Sequence, residues 1–565
     1  MDAHTYPGRG LSLSQLIFAL NEELKRVAHS PMYALEAVSQ LDQDASIALA
    51  TIREWRNSFA HVNRIPADIL SLIPTHLPTQ KGRFHAASVC RHWRGVLLKY
   101  GALWSQLFLN KGQECVSTLL KRAKGSALDI ILYSEVPVDT FALISPRAQQ
   151  IRHLELNWSP WKDIIAFSDL NCGNLPLLRT LEITSSETYT SHGGRNVVVP
   201  PSLPFFRGSI NLEIFRFHSW RVSFLSHFIF PNLTTFRLLS RPAEECSALC
   251  LLNFLEASPT LQMVEMTIST GLVLSSVPRE MVVALPNVET FSLHIPGCPT
   301  TKDYDIAAHI LCPCAKHTSL SHDVYESYPN DMPEAFPTPD LLNTIIHRYT
   351  ESPIEEVELK IKLSEDKDTD CSLTFRSSNA TVVELSFKVT NTGLDEAELN
   401  IPRTEMGWRF FSQALTTIQC RPLLSHVKRL HIEHRAAVTN TYEMRRVAEK
   451  VPVLFDSLGP LDKLRIRGCD LHTFFDAFLD RPMLANSKPV VFPQVKKLVV
   501  LHPFMEIDET ECTKAIVGLA KLQHSLGIPF ELVKVRMWDL PAGMAEELEQ
   551  WVDAVDCDEE EEEYE

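Results

Sequence analysis

Residues 261–293 read LQMVEMTISTGLVLSSVPREMVVALPNVETFSL, and the two ends of this stretch carry one pattern. Leu261-x-x-Val264-x-Met266 opens it and Val288-x-x-Phe291-x-Leu293 closes it, each just behind a proline turn (Pro259, Pro286). The alternation at the end of each unit predicts a short strand with one face in a core and one in solvent. The two middle positions, 264 and 291, are 27 residues apart. That leaves room for a turn and a helical return before the next strand.

The unit recurs on both sides. Toward the N-terminus it reads Leu233/Phe236/Leu238, Leu212/Phe215/Phe217, Leu178/Leu181/Ile183 and Ile151/Leu154/Leu156. Toward the C-terminus it reads Ile354/Val357/Leu359, Val382/Leu385/Phe387, Val427/Leu430/Ile432, Leu461/Leu464/Ile466, Val495/Leu498/Val500 and Leu532/Val535/Met537. Residues 127–133 (ALDIILY) predict a first, capping strand. Helical patterns are expected at 243–257, 441–457, 509–525 and 542–555. Two stretches break the rhythm: 296–353, rich in proline from Pro313 to Pro353, and the polar run 364–380. Both read as insertions, and loops on a rigid repeat are the first place to look for target contact.

Strand, helix, strand at intervals of about 30 residues resembles the irregular leucine-rich repeats of fungal F-box proteins. The likeness runs over residues 126–540. It implies an α/β solenoid, or horseshoe, in which each unit stacks on its neighbours.

A second pattern lies ahead of the repeats, in RIPADILSLIPTHLPTQKGRFHAASVCRHWRGVLLKYGALWSQLFL from Arg64 to Leu109. Ile65, Ile69, Leu70, Ile73 and Leu77 fall at helical spacings behind Pro66, a good first-turn residue. Val89, Trp93, Val96 and Leu97 mark a second helix, and Leu103-Trp104 with Leu107 a third apolar cluster. So many large apolar side chains on about 45 residues exceed what such a piece buries alone, and a face for a partner is expected. This segment resembles the F-box, on Ile65-Pro66, Ile69-Leu70, Leu77, Val89-Cys90-Arg91, Trp93-Arg94 and Leu103-Trp104. Pro74 departs from the family by standing where its first helix continues, and is expected to end or kink that helix.

The resemblance implies a substrate-recognition subunit of an SCF-type cullin–RING ubiquitin ligase. The F-box would dock a Skp-type adaptor, and through it cullin and RING subunits, while the repeats hold an unidentified protein target. The expected adaptor-facing or supporting residues are Ile65, Pro66, Ile69, Leu70, Ile73, Leu77, Val89, Trp93, Leu103 and Trp104. No catalytic residue, cofactor or metal belongs to this reading, since catalysis is proximity supplied in trans. The rival is a scaffold that uses the F-box for assembly without promoting degradation.

The expected organisation is a helical segment over 1–61, the F-box over 62–110, repeats over 111–555 and an acidic disordered tail over 556–565. Two apolar stripes in residues 11–59 predict a helical hairpin packed on the F-box or first repeats, with dimerisation open to it. Net charge is −16, and residues 553–565 alone hold nine acids and no base. Residues 81–113 run the other way, with Lys81, Arg83, Arg91, Arg94, Lys99 and Lys111 and no acid, which suits an acidic adaptor. Scattered cysteines, 13 in all, and an opening without a basic-then-apolar leader point to a reducing cytoplasmic or nuclear setting. The sequence carries no phosphate-binding glycine motif, H-E-x-x-H, G-x-S-x-G or basic-aromatic nucleic-acid pattern, and no apolar run long enough for a membrane. The best metal ligands are Cys298, Cys312, Cys314 and His317, near His309 and His322, at a spacing that fits zinc poorly.

Overall fold

The computed structural model describes residues 13–28, 34–77, 79–109, 111–132, 138–158, 175–185, 211–219, 225, 228–240, 246–268, 272–273, 277–278, 280–296, 305–325, 354–363, 369–377, 382–390, 425–435, 458–467, 494–501, 509–536 and 543–556. The chain divides into two compact units, Met1–Leu107 with Lys111–Asp129, and Phe108–Asn110 with Ile130–Glu565.

The first unit is helical. It holds α1 (Leu13–Ala28), α2 (Ala34–Ser58), α3 (Ala67–Leu72), α4 (Gln80–Ser88), α5 (Arg91–Leu97) and α6 (Gln113–Ala123). Expected as the start of the repeat region, α6 belongs instead with the helices before it. The reason lies in its packing. Val116, Leu119, Leu120 and Ala123 make one buried stripe. A Cβ on Gly101 would stand 2.7 Å from the Ala123 carbonyl oxygen, so the chain approaches α6 closely where no side chain intervenes.

The strands described below build one open, mostly parallel sheet of 17 strands. They are β1 (Gln106–Phe108), β2 (Leu128–Leu132), β3 (Ile151–Trp158), β4 (Thr180–Ser185), β5 (Ile214–Ser219), β6 (Thr235–Ser240), β7 (Met263–Ile268), β8 (Thr290–Pro296) and β9 (His317–Tyr325). Then come β10 (Ile354–Leu363), β11 (Thr369–Ser377), β12 (Val382–Thr390), β13 (Arg429–Arg435), β14 (Leu461–Arg467), β15 (Val495–Leu501), β16 (Leu532–Arg536) and β17 (Val555–Asp556). Among them pass α7 (Val138–Ile144), α8 (Ala248–Glu256), α9 (Asp305–Ala308), α10 (Glu509–Ser525) and α11 (Met544–Leu548).

From β3 to β9 each strand pairs in parallel with the next in sequence. There the order inverts. β12, not β10, lies beside β9; β11 runs antiparallel between β12 and β10; and β10 pairs with β13. The parallel run then resumes through β17.

One row crosses this ladder from β3 to β16: Leu154, Leu181, Phe215, Phe236, Val264, Phe291, Thr318, Val383, Phe375, Val357, Leu430, Leu464, Leu498 and Val533. Every member is buried. In most strands the middle residue of the sequence unit therefore stands in the central column of the core.

Several expectations are corrected here. Residues 296–353 are not wholly an insertion: β9 is a regular member of the ladder, hidden because Thr318 takes the apolar place 27 residues after Phe291. Residues 364–380 are not a loop, since β11 fills most of them as the antiparallel strand. In β12 and β16 the column passes through Val383 and Val533, two residues before the expected middle positions Leu385 and Val535. A shift of two keeps the same face inward, which is why pattern alone does not reveal it. The helix expected over 542–555 stops at Leu548 and β17 follows. The helix expected over 441–457 lies outside the described residues.

Thr318 is fully buried, and its hydroxyl finds no hydrogen-bond partner among the described residues. Thr318→Val keeps the shape and removes the unsatisfied hydroxyl. It is expected to stabilise the protein by about 1–2 kcal/mol, read as a higher denaturant midpoint at unchanged slope.

Candidate functional site: a helical docking face

The helical segment is held from inside by a few polar anchors. Pro66 precedes α3, and its carbonyl accepts from the Leu70 N–H at 2.8 Å. α3 ends at Leu72, and Pro74 sits early in the 3-10 turn Ile73–His76, where its missing N–H costs little. The expected break at Pro74 thus becomes a change of helix type.

Cys90 caps α5, its sulfur accepting from the Trp93 N–H at 3.5 Å. The Trp93 indole Nε1 donates to Asn63 Oδ1 at 2.8 Å, and Asn63 Nδ2 donates to the Asn57 carbonyl at 2.5 Å. Asn63 therefore ties the end of α2 to α5, and nothing in the spacing of the sequence announces it. Arg94 Nε donates to the Ala87 carbonyl at 3.2 Å and joins α5 to α4. Trp104 Nε1 donates to the Leu97 carbonyl at 2.9 Å, with Phe84 against its ring and the Arg122 guanidinium 5.0 Å from the ring centre.

These anchors sort the expected contact residues. Leu70, Trp93, Leu103 and Trp104 are buried, so they carry the face rather than form it. Ile65 and Leu77 are half-buried. Pro66, Ile69, Ile73 and Val89 are open to solvent, Ile69 at 48% and Val89 at 61%. Leu72, missed in the sequence, joins them. It lies three residues after Ile69, and Ile73 four, so all three share one side of the helical turn.

Further exposed apolar groups precede them: Ile52 and Trp55 near the end of α2, then Phe59 and Val62 after it. The Trp55 and Phe59 rings meet edge to face at 4.9 Å. Arg91 pairs with Glu54 across the surface at 3.2 Å, so part of the expected basic run is neutralised within the unit.

The polar side of the sheet is the other candidate surface, and its charge is uneven. On β3 to β7 the signs interleave, with Arg216–Glu182 at 3.0 Å and Arg237–Glu265 at 2.7 Å. On β8 and β9 hydroxyl and imidazole side chains alternate across the strands, and His294 Nδ1 lies 2.8 Å from Ser321 Oγ. On β13 to β16 bases dominate. The described polar-side residues are Arg429, His431 and Glu433, then Lys463, Arg465 and Arg467. Next come Lys497, Val499 and Leu501, and finally Leu532, Lys534 and Arg536. Seven bases thus face one acid. Arg429 is paired with Glu356 at 3.2 Å, and burial pushes the His431 imidazole down from its ordinary value.

Burial pushes the Glu155 carboxyl up from its ordinary value, Glu182 adds to the rise, and Arg216 partly offsets it. The folded chain then holds this proton more tightly than the unfolded one. The resulting stability is present at acid pH and is lost as pH rises through the elevated folded value. Glu155→Gln is expected to be more stable than the parent at neutral pH and level with it near pH ~4, checked by urea titrations across that range.

Burial raises the Cys312 thiol to about 12, which makes it a core group. Cys298 lies outside the described residues. Among the described residues no group of His, Cys, Asp and Glu converges as a metal site, and no helix is long and apolar enough to cross a membrane. No family model matches this chain, and no curated protein matches it.

Proposed function

We propose that the first unit is an F-box-like docking module, and the protein a substrate-recognition subunit of an SCF-type ubiquitin ligase. The observation that carries this reading is the exposure of Ile69, Leu72, Ile73 and Val89 on helices whose interior is already filled by Leu70, Trp93 and Trp104. Apolar groups left outside a satisfied core are what a protein partner buries. In this reading the helical unit takes a Skp-type adaptor with its cullin and RING subunits. The repeat units stack as a leucine-rich-repeat-like solenoid whose polar face and connecting segments hold a target. Ubiquitin transfer is then a matter of proximity, with the chemistry on other subunits.

The test is co-purification of the full chain from its native host, scored for adaptor and cullin, against a double variant with Ile69→Glu and Val89→Glu. Point variants are preferable to deleting residues 62–110, because deletion would also strip α6 of its contacts with Gly101 and Trp104. Adaptor and cullin retained by the parent and lost by the variant support the reading. Their absence from both sinks it. If the parent retains them and the variant loses them, yet bound partners turn over equally in both, the chain is an assembly scaffold and the ligase reading fails.

A further inference from the structure

We infer that α2 pairs with the α2 of a second copy of this chain, antiparallel and centred on Leu49, so that the protein is a two-fold dimer. What carries this is a self-complementary row on an uncovered helix. From Asp42 to Phe59 no residue is buried, and only Ala45, Ala48, Ala50 and Asn57 are partly covered. A helix this open gains little from packing on its own chain, and propensity alone leaves such a helix marginal in water.

Asp42, Ala45, Leu49, Ile52, Arg56 and Phe59 follow one another at steps of three, four, three, four and three residues. Such steps put all six on one side of the helix, as in the seam between two paired helices. The apolar members lie open, Leu49 at 53% and Ile52 at 47%, and Trp55 flanks them with its ring against Phe59.

The two ends of the row carry opposite charge. Asp42 and Arg56 each stand seven residues from Leu49, on opposite sides of it. Neither makes an ion pair among the described residues. Glu54, the acid nearest Arg56 in sequence, is taken up by Arg91 at 3.2 Å, and Asp44 accepts from Gln40 at 3.2 Å.

This arrangement matches itself. With Leu49 against Leu49 in an antiparallel pair, Asp42 of each copy stands opposite Arg56 of the other, twice over by symmetry. Ile52 then comes over the small Ala45 of the other copy. A parallel pair would set Asp42 against Asp42 and Arg56 against Arg56, so charge selects the antiparallel form. The contact is the same patch on both copies and closes at two. From Asp42 to Arg56 it runs about 21 Å along the helix. The inference does not rest on the adaptor reading, because the whole row precedes α3.

Sedimentation equilibrium of the intact chain tests it, in reductant so that the exposed Cys314 cannot link copies. The parent is expected to show a dimer that grows with concentration. Leu49→Glu, a change at an exposed position, should be monomeric with an unchanged circular-dichroism spectrum. Asp42→Arg and Arg56→Asp should each raise the dimer dissociation constant on the order of tenfold, since one substitution alters both symmetric pairs. The double variant with Asp42→Arg and Arg56→Asp should return to the parent's value, and the two single variants mixed together should form a heterodimer as tight as the parent.

A parent that stays monomeric at every concentration overturns the inference and leaves the row to a different protein. So does a dimer indifferent to Leu49→Glu, or a double variant no tighter than the singles. The variant with Ile69→Glu and Val89→Glu should keep the dimer. Its loss there would move the contact between copies to the docking face and would overturn the assignment to α2.

Discussion

Replacing Ile69 and Val89 together by glutamate is expected to abolish adaptor retention while leaving the protein folded. The two side chains are about half or more exposed, so a charge on either stays hydrated in the free protein and costs little. In a complex the same charges would be buried without partners. Truncating or charging a central interface anchor costs about 2–4 kcal/mol, and two such changes lower affinity at least ~100-fold. The thermal midpoint should move by no more than ~0.5 kcal/mol of stability allows.

Trp93→Glu and Leu70→Glu are the informative contrast. They also remove retention, but through the core, because each puts a carboxylate where burial is nearly complete. Loss of soluble yield in these two, with normal yield in the exposed pair, separates the face from its support. Retention that survives the exposed pair would place the adaptor elsewhere or nowhere.

The division between face and support is where the sequence was least informative. Ile69 and Leu70 are adjacent and equally apolar, yet one is half-exposed and the other fully buried. Spacing identifies a helix but does not say which of its apolar sides meets its own chain. Asn63 was invisible for another reason. Its role depends on a 30-residue separation to the Trp93 indole, and an asparagine before a helix has many ordinary explanations. Trp104 illustrates the reverse, since its partners Leu97 and Arg122 come from both sides of it in sequence.

The sheet was easier, because its signal repeats. From β3 to β8 the middle residues Leu154, Leu181, Phe215, Phe236, Val264 and Phe291 are register partners in the order the sequence gives them. Thr318 broke the pattern without breaking the strand. The inversion of β10 to β12 had no signature at all. Ile354/Val357/Leu359 and Val382/Leu385/Phe387 look like successive units, but an antiparallel strand between them reverses their order in space. Periodicity reports which face a residue takes, and pairing order depends on connections that periodicity does not encode.

Phe215→Ala is expected to cost about 3–5 kcal/mol, a large part of the total stability of a protein. Phe215 is fully buried, and five other phenylalanines surround it. Its ring centre lies 5.2 Å from Phe230, 5.3 Å from Phe228, 5.7 Å from Phe217, and 5.9 Å from both Phe236 and Phe254. These rings come from β5, β6, α8 and the turn before β6, so the cavity would touch every layer at that point. Ile229→Ala is the control, because Ile229 lies between Phe228 and Phe230 in sequence but points outward, 67% exposed. It should change stability by less than ~0.5 kcal/mol.

The shape of the transition carries a further consequence. Phe215 pairs with Leu181 on one side and Phe236 on the other, and in this part of the ladder each strand pairs only with its neighbours. Weakening one rung therefore loosens β3 and β4 from β6 onward without touching the strands beyond. In such a stack cooperativity is transmitted from rung to rung. The Phe215→Ala transition should accordingly broaden, with hydrogen exchange quickening in β3 to β5 before β13 to β16. A sharp transition with uniform exchange would mean that the sheet unfolds as one block and that the column does not pass stability along it.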